Sequence, residues 1–137
     1  MGIPVIDVDG DGIPELFITS KTEVGMYTYL GKKWSKTMPG TTLVNGPGIV
    51  GDFNNDGRYE IFCPSDGAYF YLLDAITGAE KWKLYVGPLP SDFSCVGRYG
   101  VSCGDVDNDG FVELIGGVGG GPQANSPHAN SVIVFKG

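Results

Sequence analysis

Asp105-Val-Asp-Asn-Asp-Gly-Phe-Val-Glu113, followed by Leu114-Ile115, is the third of three stretches written on one plan. The others are Asp7-Val-Asp-Gly-Asp-Gly-Ile-Pro-Glu15, before Leu16-Phe17-Ile18, and Asp52-Phe-Asn-Asn-Asp-Gly-Arg-Tyr-Glu60, before Ile61-Phe62. Each has Asp or Asn at positions 1, 3 and 5, Gly at 6 and Glu at 9. Alternate carboxylates in a tight loop bring many oxygens to one point. A hard cation such as calcium takes six to eight oxygen ligands in flexible geometry. The glycine at position 6 allows the sharp turn.

An EF-hand needs Glu at position 12 and flanking helices. Position 12 here is Ile18, Cys63 and Gly116, and the flanks are short, β-branched, aromatic and bounded by Gly and Pro. That is the signature of strands. The closing carboxylate is therefore Glu15, Glu60 or Glu113, with each loop lying between two strands. The carbonyls of Ile13, Arg58 and Phe111 at position 7 are candidate further ligands. The expectation is three calcium sites. Metal-free Asp/Gly turns are the alternative, and the threefold spacing argues against them.

Working outward, the loops recur at 45 and 53 residues. In the middle unit the pattern predicts strands over 48–52, 59–63, 68–74 and 80–86, with a Pro64–Gly67 turn and a Thr77-Gly78 turn between them. The first unit repeats this over 3–7, 14–19, 24–30 and 33–37, with Trp34 matching Trp82. The third has strands near 100–105, 112–116 and 131–136 and lacks a fourth. No segment has a helical period. The reading is all-β: three four-stranded antiparallel repeats, the third incomplete, forming β-propeller blades over approximately 3–46, 47–98 and 99–137 of one 1–137 segment.

These loops and their hydrophobic flanks resemble the FG-GAP/VCBS family, the calcium-binding propeller blades also found in integrin α-subunits. The resemblance covers nearly the whole chain and rests on the threefold D-x-[DN]-x-D-G-x-x-E. It implies ligands at Asp7, Asp9, Asp11 and Glu15; Asp52, Asn54, Asp56 and Glu60; Asp105, Asp107, Asp109 and Glu113. The family's own FG and GAP dipeptides are poorly kept. Leu73–Gly78 running to Trp82 is also similar to a blade of pyrroloquinoline-quinone enzymes, but a tryptophan packed between blades accounts for it without a quinone.

The chain has 16 acidic and nine basic residues, a net charge of −7. Eight Asp and three Glu of the 16 lie in the loops, so the acidity is local and directed at metal. No Lys/Arg cluster beyond Lys32-Lys33 suggests nucleic acid, and no apolar run approaches the ~20 residues of a membrane-crossing helix. The acidic pattern starts by residue 7, which leaves no signal peptide in this stretch. Three cysteines are present, Cys63, Cys95 and Cys103. A Cys95–Cys103 disulfide is a possibility that fits an oxidising compartment; three reduced thiols are the alternative.

Three blades do not close a propeller of four to eight. The segment is therefore part of a longer propeller, or it is a subunit of a ring or fibre, with copies of itself or other blades as partners. Two long connections, 87–99 and 116–130, belong to the end away from the acidic loops. Loops on a rigid scaffold often carry function, which makes Asp92, Arg98, Tyr99, Gln123, Asn125, His128 and Asn130 candidates for contacting a glycan or protein. A single histidine argues against a zinc site or a Ser-His-Asp triad. The expected function is a calcium-stabilised extracellular or cell-surface propeller segment for binding and assembly, without a catalytic residue. The alternatives are a fragment of a calcium-dependent polysaccharide lyase, with Arg98, a lysine or His128 as base, and a fibre or ring subunit completed by strand exchange.

Overall fold

A computed structural model describes residues 3–20, 22–38, 48–65, 69–86, 95–119 and 131–136; for 95–100 and 119 it describes the backbone path only. All regular structure among them is β. The strands are β1 (Val5–Ile6), β2 (Glu15–Thr19), β3 (Glu23–Thr28), β4 (Gly31–Thr37), β5 (Ile49–Gly51), β6 (Glu60–Ser65), β7 (Tyr69–Asp74), β8 (Glu80–Tyr85), β9 (Cys95–Gly104), β10 (Glu113–Gly119) and β11 (Ser131–Lys136). They form three separate antiparallel sheets ordered β1-β2-β3-β4, β5-β6-β7-β8 and β9-β10-β11. The sheets do not close on themselves, and they have the form of blades of a partial propeller.

The middle sheet explains the stacking. Every residue of β6 is buried, a pattern expected where both faces of a sheet are covered. Side chains alternate between faces along a strand. Ile61, Cys63, Tyr71 and Leu73 accordingly join Phe17, Val24 and Met26 of the first sheet in one core. Phe62, Phe70 and Leu72 point the other way, into a second core with Leu114 and Val118 of the third sheet. Each tryptophan seals one interface. Trp34 Nε1 donates a 3.0 Å hydrogen bond to the Ala75 carbonyl. Trp82 lies 5.4 Å from Phe135 and 6.1 Å from Phe62, between the second and third sheets.

The structure corrects several boundaries. Pro64 and Ser65, expected in a turn, are strand residues paired with Phe70 and Tyr69. β9 starts at Cys95, which places Arg98 and Tyr99 in a strand and not in a connecting loop. The Cys95–Cys103 bridge fails for the same reason. Both residues belong to one extended strand, facing Gly119 and Leu114 of β10. Those two partners are five residues apart on β10, which separates the cysteines by roughly 17 Å at the rise of a strand, where a disulfide needs Cα atoms within about 7 Å. Cys103 is a free, exposed thiol and Cys63 a free, buried one.

Candidate cation-binding loops

Each acidic loop joins the first and second strands of its sheet, at the end of the stack that also carries the β3–β4 and β7–β8 turns. The Ala75 N–H donates to the Tyr59 carbonyl at 3.0 Å, tying the β7–β8 turn to the second loop. All three loops fold by the same internal bonds. The position-1 carboxylate takes the N–H of Gly at position 6: Gly12 to Asp7 Oδ2, Gly57 to Asp52 Oδ2 and Gly110 to Asp105 Oδ2, each at 2.9 Å. Its other oxygen takes a second loop N–H, from Gly10, Asp56 or Asp109. The position-5 carboxylate takes the N–H of position 7 at 2.8–2.9 Å.

Two residues per loop adopt positive φ. One is the glycine at position 6, at 84°, 83° and 89°. The other is position 4, where Gly10, Asn55 and Asn108 stand at 75°, 59° and 61°. Asn is the side chain that best tolerates this region after Gly. The signal for position 4 in sequence is residue type, Gly-Asn-Asn at one place.

The closing glutamates are the most buried groups here: Glu15 is 0 %, Glu60 1 % and Glu113 2 % exposed. In each, Oε2 accepts the position-2 N–H, from Val8 at 2.9 Å, Phe53 at 3.1 Å and Val106 at 2.8 Å. The Oε1 atoms differ. Glu60 Oε1 accepts a hydrogen bond from Lys81 Nζ. Glu15 Oε1 lies 2.6 Å from Lys33 Nζ, an ion pair without the alignment of a hydrogen bond. Glu113 Oε1 is buried with no hydrogen-bond partner among the described residues. In the first and third loops, ligand oxygens of positions 1, 3 and 9 lie within 4.8 Å of one another: Asp7, Asp9, Glu15 and Asp105, Asp107, Glu113.

Three lysines that the motif did not flag stand over the loops. Lys33 Nζ is 2.6 Å from Asp9 Oδ2 and 3.7 Å from Asp11 Oδ2. Lys136 Nζ is 3.2 Å from Asp107 Oδ2 and also bonds Asp109 Oδ2. These contacts hold the carboxyls of Asp9 and Asp109 below the usual carboxylate range and raise both ammonium groups. The signal available in sequence was a lysine directly before each tryptophan, Lys33-Trp34 and Lys81-Trp82.

Of the other candidates, Asp92, Gln123, Asn125, His128 and Asn130 lie outside the described residues. Arg98 and Tyr99 are in β9, away from the acidic end of the sheet. Among the described residues no helix is long and apolar enough to cross a membrane.

Open antiparallel sheets stacked face to face, with an acidic loop after each first strand, define a blade-repeat protein. Residues 7–63, from the first acidic loop through most of β6, match the family model of the FG-GAP-like repeat. No curated protein and no solved structure matches the chain.

Proposed function

We propose that this chain is a calcium-stabilised, extracellular β-propeller segment for protein or glycan binding and assembly. The observation that carries the calcium reading is Glu113 Oε1. A buried polar atom without a partner is costly, and this one sits among Asp105 and Asp107, with oxygens close enough to share an ion. Asp7, Asp9, Asp11 and Glu15, then Asp52, Asn54, Asp56 and Glu60, then Asp105, Asp107, Asp109 and Glu113 would hold three ions. Carbonyls of Ile13, Arg58 and Phe111 would add to the shell. The ion supplies positive charge that joins the loop to the buried glutamate, so its role is structural. The residues themselves fix the turn through the position-1 carboxylate and the two positive-φ positions.

The FG-GAP-like match supports the extracellular placement, because such repeats are typical of extracellular proteins. Assembly is supported by the third sheet. Its outer strand β11 exposes Val132 (69 %) and Val134 (50 %), whereas the outer strands of the other sheets carry lysines, Lys32, Lys33 and Lys36 on β4 and Lys81 and Lys83 on β8. Edge lysines discourage pairing with another chain; β11 has a single lysine at its end. No arrangement among the described residues favours the lyase alternative.

Melting curves test the calcium reading. An ion at a hundredfold excess over its Kd stabilises by about 2.7 kcal/mol per site. For a chain of this size that is roughly 8–12 °C per site. Chelation should remove the gain, and Glu113→Gln should abolish the share from the third loop. An identical melting curve in calcium and in chelator would refute the proposal.

A further inference from the structure

The lysines over the acidic loops are placed by a repeated irregularity of the backbone. In the β3–β4 ladder, Met26 faces Trp34 and Tyr27 faces Lys32, so Lys33 is the extra residue of a bulge. In the β7–β8 ladder, Leu72 faces Trp82 and Leu73 faces Glu80, and Lys81 is the extra residue. A bulge re-aims a side chain and is a feature of the strand, not an accident of packing. Here it turns a lysine from the fourth strand onto the loop between the first and second. Both lysines end on the buried glutamate of their loop: Lys33 Nζ 2.6 Å from Glu15 Oε1, Lys81 Nζ bonded to Glu60 Oε1. The third sheet has no fourth strand in the described residues. Its lysine, Lys136, comes from the end of β11 and meets Asp107 and Asp109 at the rim. Glu113 Oε1 is left without a partner among the described residues.

We propose that Lys33 and Lys81 are built-in counter-cations, each placing an ammonium where a bound calcium ion would put its charge against the buried glutamate. This rests on the calcium reading above and adds to it a ranking of the sites. The first and second loops keep their shape without metal and bind it weakly, because the ion must displace or tolerate a lysine. The second is the weakest of the three, since Asn54 also removes one carboxylate. Lys136 meets only the rim carboxylates Asp107 and Asp109, and with no lysine on the buried Glu113 among the described residues the third loop binds calcium most tightly.

Calcium titration calorimetry on the full chain tests this, with melting in chelator as a second readout. Lys33→Met keeps the aliphatic stem and removes the charge. It should tighten one of the weaker sites, on the order of tenfold for a unit charge a few ångströms from a divalent ion near the surface. It should also lower the melting temperature in chelator, where Glu15 loses the ammonium beside it. Lys81→Met should do the same for the second loop, and provides the comparison if Lys33→Met folds poorly. Lys32→Met, the same charge change on the same strand, is the control and should leave calcium affinity unaltered. Glu113→Gln should remove the tightest site. Calcium binding by the wild type with Kd values unchanged in both Lys→Met variants overturns this inference and leaves the calcium reading standing. A wild type that binds no calcium overturns both.

Discussion

Gly116→Ala measures how tightly the second and third sheets are packed. Gly116 is a buried residue in the middle of β10. A Cβ built there would lie 2.3 Å from Cζ and 2.4 Å from Cε1 of Phe70. The Phe70 ring occupies the space a side chain would need, and it has nowhere to go. It is 0 % exposed, stacked on Phe62 at 5.4 Å and edge-on to Phe135 at 5.7 Å. Overpacking a well-filled core costs about 1–3 kcal/mol, and a clash against a ring held on two sides belongs at the upper end. At about 4 °C per kcal/mol for a chain of this length, the melting temperature should fall by roughly 12 °C. Phe70→Leu alone should cost about 1–2 kcal/mol through the cavity it leaves. In the double variant the shorter side chain makes room for the new methyl, and the loss should be smaller than the sum by about 1–2 kcal/mol. The assay is urea unfolding at constant calcium, followed by tryptophan fluorescence, since Trp82 sits in the same interface. A Gly116→Ala variant within about 0.5 kcal/mol of wild type, or a double variant additive to within about 0.5 kcal/mol, would show that the sheets are not in contact as described.

Other expectations follow from single contacts. Trp34→Phe removes the hydrogen bond to the Ala75 carbonyl and part of the ring that covers Gly78; a loss of about 1–2 kcal/mol in urea unfolding is expected, and a change below 0.3 kcal/mol would contradict the first interface. Burial pushes the Cys63 thiol up to about 12, with Lys36 opposing weakly. Iodoacetamide at pH 8 followed by peptide mapping should therefore label Cys103 and spare Cys63 in the folded protein. The sign on stability is set by the same shift: Cys63 stabilises the fold fully below its unfolded pKa near ~8.5, and that contribution declines as pH rises from there toward 12. Burial works to raise the pKa of Asp74, but hydrogen bonds from the Thr77 hydroxyl and the Thr77 and Ile76 N–H groups outweigh it and hold the carboxyl below its usual range. Its contribution is present above ~3.9 and lost as pH falls below that value, so Asp74→Asn should flatten the acid limb of the stability–pH curve.

How much of this was legible in the chain depends on how local the cause is. The acidic loops could be read because a carboxylate bonding an N–H five residues on, and a glycine at positive φ, are interactions within nine residues. The closing Glu was recognisable from spacing, and so were the three strands of the last unit. Short β-branched and aromatic runs bounded by Gly and Pro announced β6 and β7 as strands, but that both faces of their sheet are covered came only from the stacking. Gly97 and Gly100 suggested a turn that would bring Cys95 and Cys103 together, whereas β9 is irregular over 97–100 and pairs with β10 on both sides of it, Cys95 with Gly119 and Cys103 with Leu114. Pairing on either side holds the two cysteines apart, and the glycines sit in the irregular stretch between.

Residue order alone thus determined the all-β class, the three-unit period, the loop chemistry and the concentration of negative charge at one end of each unit. Tertiary structure decided what neutralises that charge. Lys33 lies 18 residues beyond Glu15, Lys81 21 beyond Glu60 and Lys136 23 beyond Glu113, and no rule of spacing connects them. Two of them reach a glutamate because a bulge in a ladder turns them there; the third falls short of Glu113 because it arrives from a different strand. Sequence places the carboxylates by short-range geometry, but a counter-charge is an across-sheet neighbour, and only the register of the folded ladder says who that neighbour is.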